Sequence, residues 1–193
     1  MKKQLGQYEA LKTIYKVGHP ISVIVILHEQ IKTGNSEYLK IHVKTKNDVK
    51  GYFYLYNSIV EEEGSLLGIG KSLTAIIKNY NDEDHVLYLS TDSDDMEEST
   101  INSFKKFYSL IDNIKEGTMV TGTVVNVQPF GLFIDIGYDF LGLIDIGYSG
   151  FNKGSRLPND NSKWPQKGDS INCIVSYYRF SNKQFGLGWI PEK

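Results

Sequence analysis

One cysteine, Cys173, occurs in 193 residues. No disulfide can therefore form within the chain, and Cys173 sits in the apolar run from Ile171 to Val175, where a buried, inert thiol is the expectation. Such cysteine usage fits a reducing compartment, so a cytoplasmic location is expected. Positive charge is not in excess: the formal net charge is −2. No global field draws in nucleic acid, and any such binding must come from a local patch. No apolar run is long enough to span a bilayer. Met1-Lys2-Lys3-Gln4 leads into no apolar core of the kind a signal peptide needs. No contact with a membrane is expected.

Enzyme signatures are missing as well. The four histidines, His19, His28, His42 and His85, all lie in the first half at unrelated spacings, and none pairs with cysteine at metal-ligand spacing. Gly68-Ile69-Gly70-Lys71-Ser72 lacks the first glycine of a phosphate loop and leads into a strand pattern instead of a helix. Asp135 and Asp145 fall in neighbouring strand patterns, where solvated strand acids are far commoner than a catalytic pair. The chain is expected to be non-enzymatic, with no cofactor and no metal site.

Aromatic residues and glycine are plentiful: 13 tyrosines, 9 phenylalanines and 18 glycines. The length suits one or two domains, and a hydrophobic content of 40% suffices for real cores. From Lys115 to Gly147 the period is that of strands. Val120, Gly122 and Val124 alternate, Gln128-Pro129-Phe130-Gly131 breaks the run, and Leu132 to Ile136 resumes it up to Gly137. Leu143 to Ile146 resumes it again after Gly142. Short strands with glycine corners read as the start of a small closed barrel.

The first half repeats these elements. Gly18 lies 99 positions before Gly117, and Gly70 to Ser90 aligns without a gap on Gly168 to Gly188 at an offset of 98. Ile41 matches Ile134 in this alignment, Gly51 matches Gly142, and Ser58 matches Ser149. The expected architecture is mainly β, with two five-stranded barrels and short connecting helices. Residues 1–92 form the first barrel with an N-terminal helix, 93–114 a linker helix, and 115–193 the second barrel. The N-terminal helix, Gln4 to Tyr15, puts Tyr8, Leu11 and Ile14 or Tyr15 on one face. A strand from Ile21 to Leu27 is followed by a turn from His28 to Ser36, and Glu61-Glu62-Glu63-Gly64 is an acidic loop. In the linker helix, Ile101, Phe104, Phe107 or Tyr108, and Ile111 recur at helical spacing and should pack on a barrel. Trp164, before Pro165, should cap the second barrel, and Phe151 is a further apolar point of the same loop.

Gly117, Gly122, Phe130 to Phe133, Ile134-Asp135-Ile136-Gly137, Gly142-Leu143-Ile144 and Lys167-Gly168-Asp169 together resemble the S1 RNA-binding domain family. The resemblance covers Lys115 to Ile190 clearly and the first half in diverged form. It implies tandem OB barrels that bind single-stranded RNA, in translation or RNA turnover. On the second barrel Phe130 and Phe133 match the family's two aromatic positions, but Asp145, Phe180 and Gln184 replace its histidine, aspartate and arginine, with Lys183 beside them. On the first barrel the alignment sets Lys40 against Phe133, Tyr54 against Asp145 and Val86 against Gln184. The outward residues of its second strand are Lys40, His42 and Lys44, with Lys46 beyond. Those of its third strand are Tyr52, Tyr54 and Tyr56, flanked by Lys50. A cationic row beside a tyrosine row is the composition that single-strand binding needs. The RNA-binding candidates are thus Lys40, His42, Lys44, Tyr52, Tyr54, Tyr56, Phe130, Phe133 and Lys183. The alternative is a protein partner, met by an inhibitor-like or immunity-type OB module with a tyrosine-rich surface.

Overall fold

The computed structural model describes residues 10–33, 36–56, 67–147 and 153–191. Tyr8, Ser58, the acidic loop at Glu61-Glu62-Glu63-Gly64, Ser149 and Phe151 lie outside the described residues. The chain is mainly β and divides into two compact units, Met1–Phe104 and Lys105–Lys193.

In the first unit the strands are β1 (Pro20–Thr33), β2 (Ser36–Thr45), β3 (Lys50–Tyr56), β4 (Ser72–Asn81) and β5 (Val86–Ser90). They pair in the order β1-β2-β3-β5-β4, and β4 pairs back to β1. Every contact is antiparallel except β3 with β5. In the second unit β6 (Met119–Gln128), β7 (Gly131–Asp135), β8 (Gly142–Asp145), β9 (Ser170–Arg179) and β10 (Gln184–Ile190) repeat that order as β6-β7-β8-β10-β9, closed by β9 on β6. Each sheet is consistent with an OB fold.

The repeat extends to irregular features. The β1–β2 ladder shifts between Val25 and Leu27, and the β6–β7 ladder between Val124 and Asn126, 99 positions on. The Gly70 amide donates to the Val25 carbonyl at 2.8 Å, as the Gly168 amide does to Val124 at 2.8 Å. Gly70 and Gly168 both have positive φ, +85° and +98°, which glycine takes at least cost. Bulges and left-handed corners let a short sheet coil far enough to close. Gly51 and Gly142 occupy the crossing where β3 and β8 meet β5 and β10 in parallel. A Cβ on Gly51 would lie 3.0 Å from the Leu87 carbonyl oxygen, and one on Gly142 would collide with Leu187. A larger residue at either place would push the parallel pair apart.

Alternation places Val23, Val25, Ile41, Val43, Phe53, Leu55, Leu87 and Leu89 in the first core. The second core holds Val124, Leu132, Ile134, Ile144, Cys173, Val175, Phe185 and Leu187. Burial pushes the Cys173 thiol up to about 12, so it stays protonated and inert. Trp164 is buried and donates its indole N–H to the Pro158 carbonyl at 2.6 Å, as a cap should.

Helical turns run over 10–14, α1 (Ser93–Met96) and α2 (Glu98–Asn113). Of the two residues competing for the inner face of the first helix, Tyr15 takes it: Ile14 is 70% exposed, whereas the Tyr15 side chain is half-buried with its hydroxyl 3.5 Å from Thr45 Oγ1. On α2, Phe104 is buried in the first unit with its ring against Gly18. Phe107 is buried in the second unit, edge-on to Phe140 at 5.2 Å and Phe185 at 5.5 Å. Tyr108 stacks on Phe180 at 5.6 Å, while Ile101 and Ile111 are half-buried.

Two expectations are corrected. The turn from His28 to Ser36 is strand up to Thr33: Glu29 lies opposite Lys40, Gln30 opposite Leu39 and Ile31 opposite Tyr38. Polar side chains on one face of a hairpin do not end a strand while its ladder hydrogen bonds are made. The alignment of β2 on β7 moves by two positions. Val43 pairs with Gly51 and Ile134 with Gly142, so Val43 corresponds to Ile134 and His42, not Lys40, to Phe133.

Candidate nucleic-acid interface

On the first unit the outer face of β2, β3 and β5 gathers four tyrosines. Tyr52 and Tyr54 point outward on β3 because Phe53 and Leu55, which alternate with them, are buried. Tyr38 enters from the start of β2, and Tyr88 from β5 through the parallel pairing of Tyr52 with Tyr88. Ring centres are 5.2 Å apart for Tyr38–Tyr54, 5.4 Å for Tyr52–Tyr54, 5.5 Å for Tyr52–Tyr88 and 6.2 Å for Tyr54–Tyr88. All four are half-buried. Burial first, then the neighbouring tyrosines, raises the Tyr54 hydroxyl above its ordinary 10, and it stays neutral at physiological pH. Asn81 donates to the Tyr52 hydroxyl at 3.3 Å. Tyr56 ends β3 opposite Tyr38, and its side chain lies outside the described residues.

The cationic row on β2 is present but held by acids. The Lys40 ammonium lies 4.5 Å from the centre of the Tyr52 ring, a cation–π contact, and 3.9 Å from Glu29 Oε2. The His42 Nε2–H donates to the same oxygen at 2.7 Å. That hydrogen bond, helped by the charge of Lys40, holds the Glu29 carboxyl below its ordinary 4.5. Lys44 donates to Asp48 Oδ1 at 2.7 Å, and this hydrogen bond lowers the Asp48 carboxyl. Lys46 and Lys50 are exposed at the same end of the hairpin.

The second unit does not repeat this face. Strand register sets Leu143 where Tyr52 stands, Asp145 where Tyr54 stands and Gly186 where Tyr88 stands. Phe130, 47% exposed, sits edge-on to Phe133 at 6.0 Å. The Ile146 amide donates to the Phe130 carbonyl, which places two exposed apolar side chains side by side, with Val127 also exposed. Asp145 faces Arg179 Nη1 at 3.8 Å and accepts from the Gly147 amide at 2.8 Å. Asp135 turns away to the Gly137 amide at the far end of β7, so the two carboxylates form no pair. Phe180 is taken up by packing on Tyr108 and Tyr178. Lys183 occupies a left-handed position, φ +51°, after a 3₁₀ turn at Phe180–Asn182.

Of the residues proposed from sequence, Lys40, His42, Tyr52 and Tyr54 come together on one face, with Lys44 at its end. Phe130 and Phe133 meet each other on the second unit, where Lys183 precedes β10. Tyr38, Tyr88, Glu29 and Arg179 belong to these faces and escaped the sequence reading. Among the described residues no group of histidine, cysteine or carboxylate side chains could hold a metal, and no helix is long and apolar enough to cross a membrane.

No family model and no curated protein matches this chain. Several solved structures do. RNase R of Mycoplasma genitalium, solved with ribose-methylated single-stranded RNA, is 23% identical over 48% of this chain and 15% of its own, with a TM-score of 0.37. GSP13 of Bacillus subtilis is 23% identical over 41% of this chain and 62% of its own, with a TM-score of 0.32. A multidomain protein with nucleic acid binding domains from Streptococcus pneumoniae is 13% identical over 91% of this chain and 52% of its own, with a TM-score of 0.29. The match thus spans less than two thirds of each of these proteins.

Proposed function

We propose that this chain is a non-enzymatic, cytoplasmic protein of two S1-like barrels that binds single-stranded RNA, serving translation or RNA turnover, and that the first unit carries the main contact. The observation behind this reading is the cluster of Tyr38, Tyr52, Tyr54 and Tyr88 beside Lys40 on the β2–β3–β5 face. Every base has a π-face, so a platform of half-exposed rings accepts a strand whatever its sequence, at ~1–3 kcal/mol per stacked base. Lysines at the hairpin end supply local charge that the whole chain lacks.

A second reading attaches to the second unit, where Phe130, Ile146 and Val127 are each exposed and Arg179 is tied to Asp145. That mixture of apolar points and paired charge suits a protein partner better than a polyanion. Salt dependence separates the two. Titration of the full chain with a labelled single-stranded oligoribonucleotide should show binding that weakens steeply between low and physiological salt. Absence of binding, or a tight complex with a protein that salt leaves unchanged, would overturn the RNA reading.

A further inference from the structure

The strand correction that carries β1 on to Thr33 brings an acid to the edge of the tyrosine platform. Glu29 stands opposite Lys40 in the β1–β2 ladder, with 48% of its side chain exposed. A carboxylate beside a phosphate path is repulsive, so Glu29, like Asp48 on Lys44, argues that the sugar–phosphate chain passes elsewhere, by the exposed Lys46. What reaches Glu29 is then the edge of a base. Resting on the RNA-binding reading above, we propose that Glu29 and Lys40 form a guanine-selective position on the tyrosine platform of the first unit.

The chemistry follows from donor and acceptor patterns. An ionised carboxylate only accepts hydrogen bonds, and a lysine ammonium only donates them. The Watson–Crick edge of guanine presents, in order, the O6 acceptor, the N1–H donor and the N2–H₂ donors. Two adjacent donors meet the carboxylate while the neighbouring carbonyl meets the ammonium. Adenine and cytosine each set a ring-nitrogen acceptor beside their amino group, and uracil flanks its N3–H with two carbonyls, so each of these would push an acceptor against Glu29. The structure holds the parts in that order. His42 and Lys40 both address Glu29 Oε2, at 2.7 Å and 3.9 Å, which steers the carboxylate without occupying Oε1 by either contact. The Lys40–Glu29 distance exceeds a hydrogen bond, so O6 can take the ammonium without breaking one. Lys40 Nζ covers the Tyr52 ring, and Lys40 stands opposite Tyr54 in the β2–β3 ladder, so Tyr54 is the ring on which the base would stack. His42 is the positioning residue, because it fixes the carboxylate without facing the base.

The test uses the full chain and four labelled oligouridines of equal length that differ in one central base: guanine, adenine, cytosine or uracil. Wild-type protein should favour guanine on the order of tenfold. Glu29→Gln replaces one acceptor oxygen by a donor at the same size, and it should reduce that preference to less than about twofold while the all-uridine oligonucleotide binds at least as well as before. Equal wild-type affinity for all four, with binding still weakened by Tyr54→Ala, would overturn guanine selection and leave the RNA platform standing. Failure of every oligonucleotide to bind would overturn both. A Glu29→Gln variant that keeps the guanine preference would also overturn the proposal, by showing that the carboxylate does not face the base.

Discussion

The ammonium of Lys40 sits 4.5 Å from the centre of the Tyr52 ring and 3.9 Å from the Glu29 carboxylate, so this cation is shared between a ring and an acid. It is not a loose charge waiting for a phosphate. The phosphate contact falls instead to Lys46, exposed just past the end of β2. Lys46→Ala should lower the salt slope of single-strand binding by about 0.7, the value for one phosphate contact on a single strand. Lys40→Ala should lower affinity with a smaller change in slope. Oligonucleotide titrations at four salt concentrations check the ordering, and a larger slope change for Lys40 would reverse the assignment.

Asp145 neutralises Arg179 on the second unit at 3.8 Å. Asp145→Asn removes the charge and keeps an oxygen that can accept from the Gly147 amide, as Asp145 Oδ1 does at 2.8 Å. Arg179 is then available to a polyanion. In a Tyr54→Ala background, which disables the first face, Asp145→Asn should raise low-salt RNA affinity roughly threefold, the scale of one partly exposed ion pair. Unchanged affinity would show that Arg179 does not face the RNA path.

Glu29 gives a pH dependence of known sign. Its carboxyl is depressed from 4.5 by the His42 hydrogen bond and then by the charge of Lys40. A depressed folded value means that the stabilisation is present above pH 4.5 and is lost as pH falls through the folded value. Wild type should therefore melt above Glu29→Gln at neutral pH, and the gap should close on acidification below pH 4.5. Thermal melts of both proteins from pH 7 to pH 3 measure it; a gap that is constant with pH would mean that the carboxylate charge contributes nothing.

Much of the architecture could be read from residues. Period-two alternation marked β2, β3 and β7, and the recurrence of Gly18, Gly51 and Gly70 in Gly117, Gly142 and Gly168 marked the repeat. Alternation also explains where the reading slipped. Moving β2 by two positions against β7 leaves every side chain on the same face, so the pattern could not tell Lys40 from His42 as the counterpart of Phe133; only the pairing of Val43 with Gly51 decides it. Tyr88 was missed because β5 reaches the face through a parallel contact with β3, and no local signal announces a parallel neighbour. The ungapped match of Gly70–Ser90 to Gly168–Gly188 was the clue that could have found it. Glu29 was missed because His28-Glu29-Gln30 looks like a turn by composition, although its ladder with β2 runs on to Thr33.

The most direct measurement of the central claim is the single-strand RNA affinity of three full-length proteins: wild type, Tyr54→Phe and Tyr54→Leu. Tyr54 touches Tyr38, Tyr52 and Tyr88, so both variants keep an apolar side chain in the cluster, but only Phe keeps the ring. If a base stacks there, Tyr54→Phe should bind within about twofold of wild type and Tyr54→Leu should lose ~1–3 kcal/mol. Equal binding by all three proteins, with matching thermal melts, would contradict an RNA platform on this face.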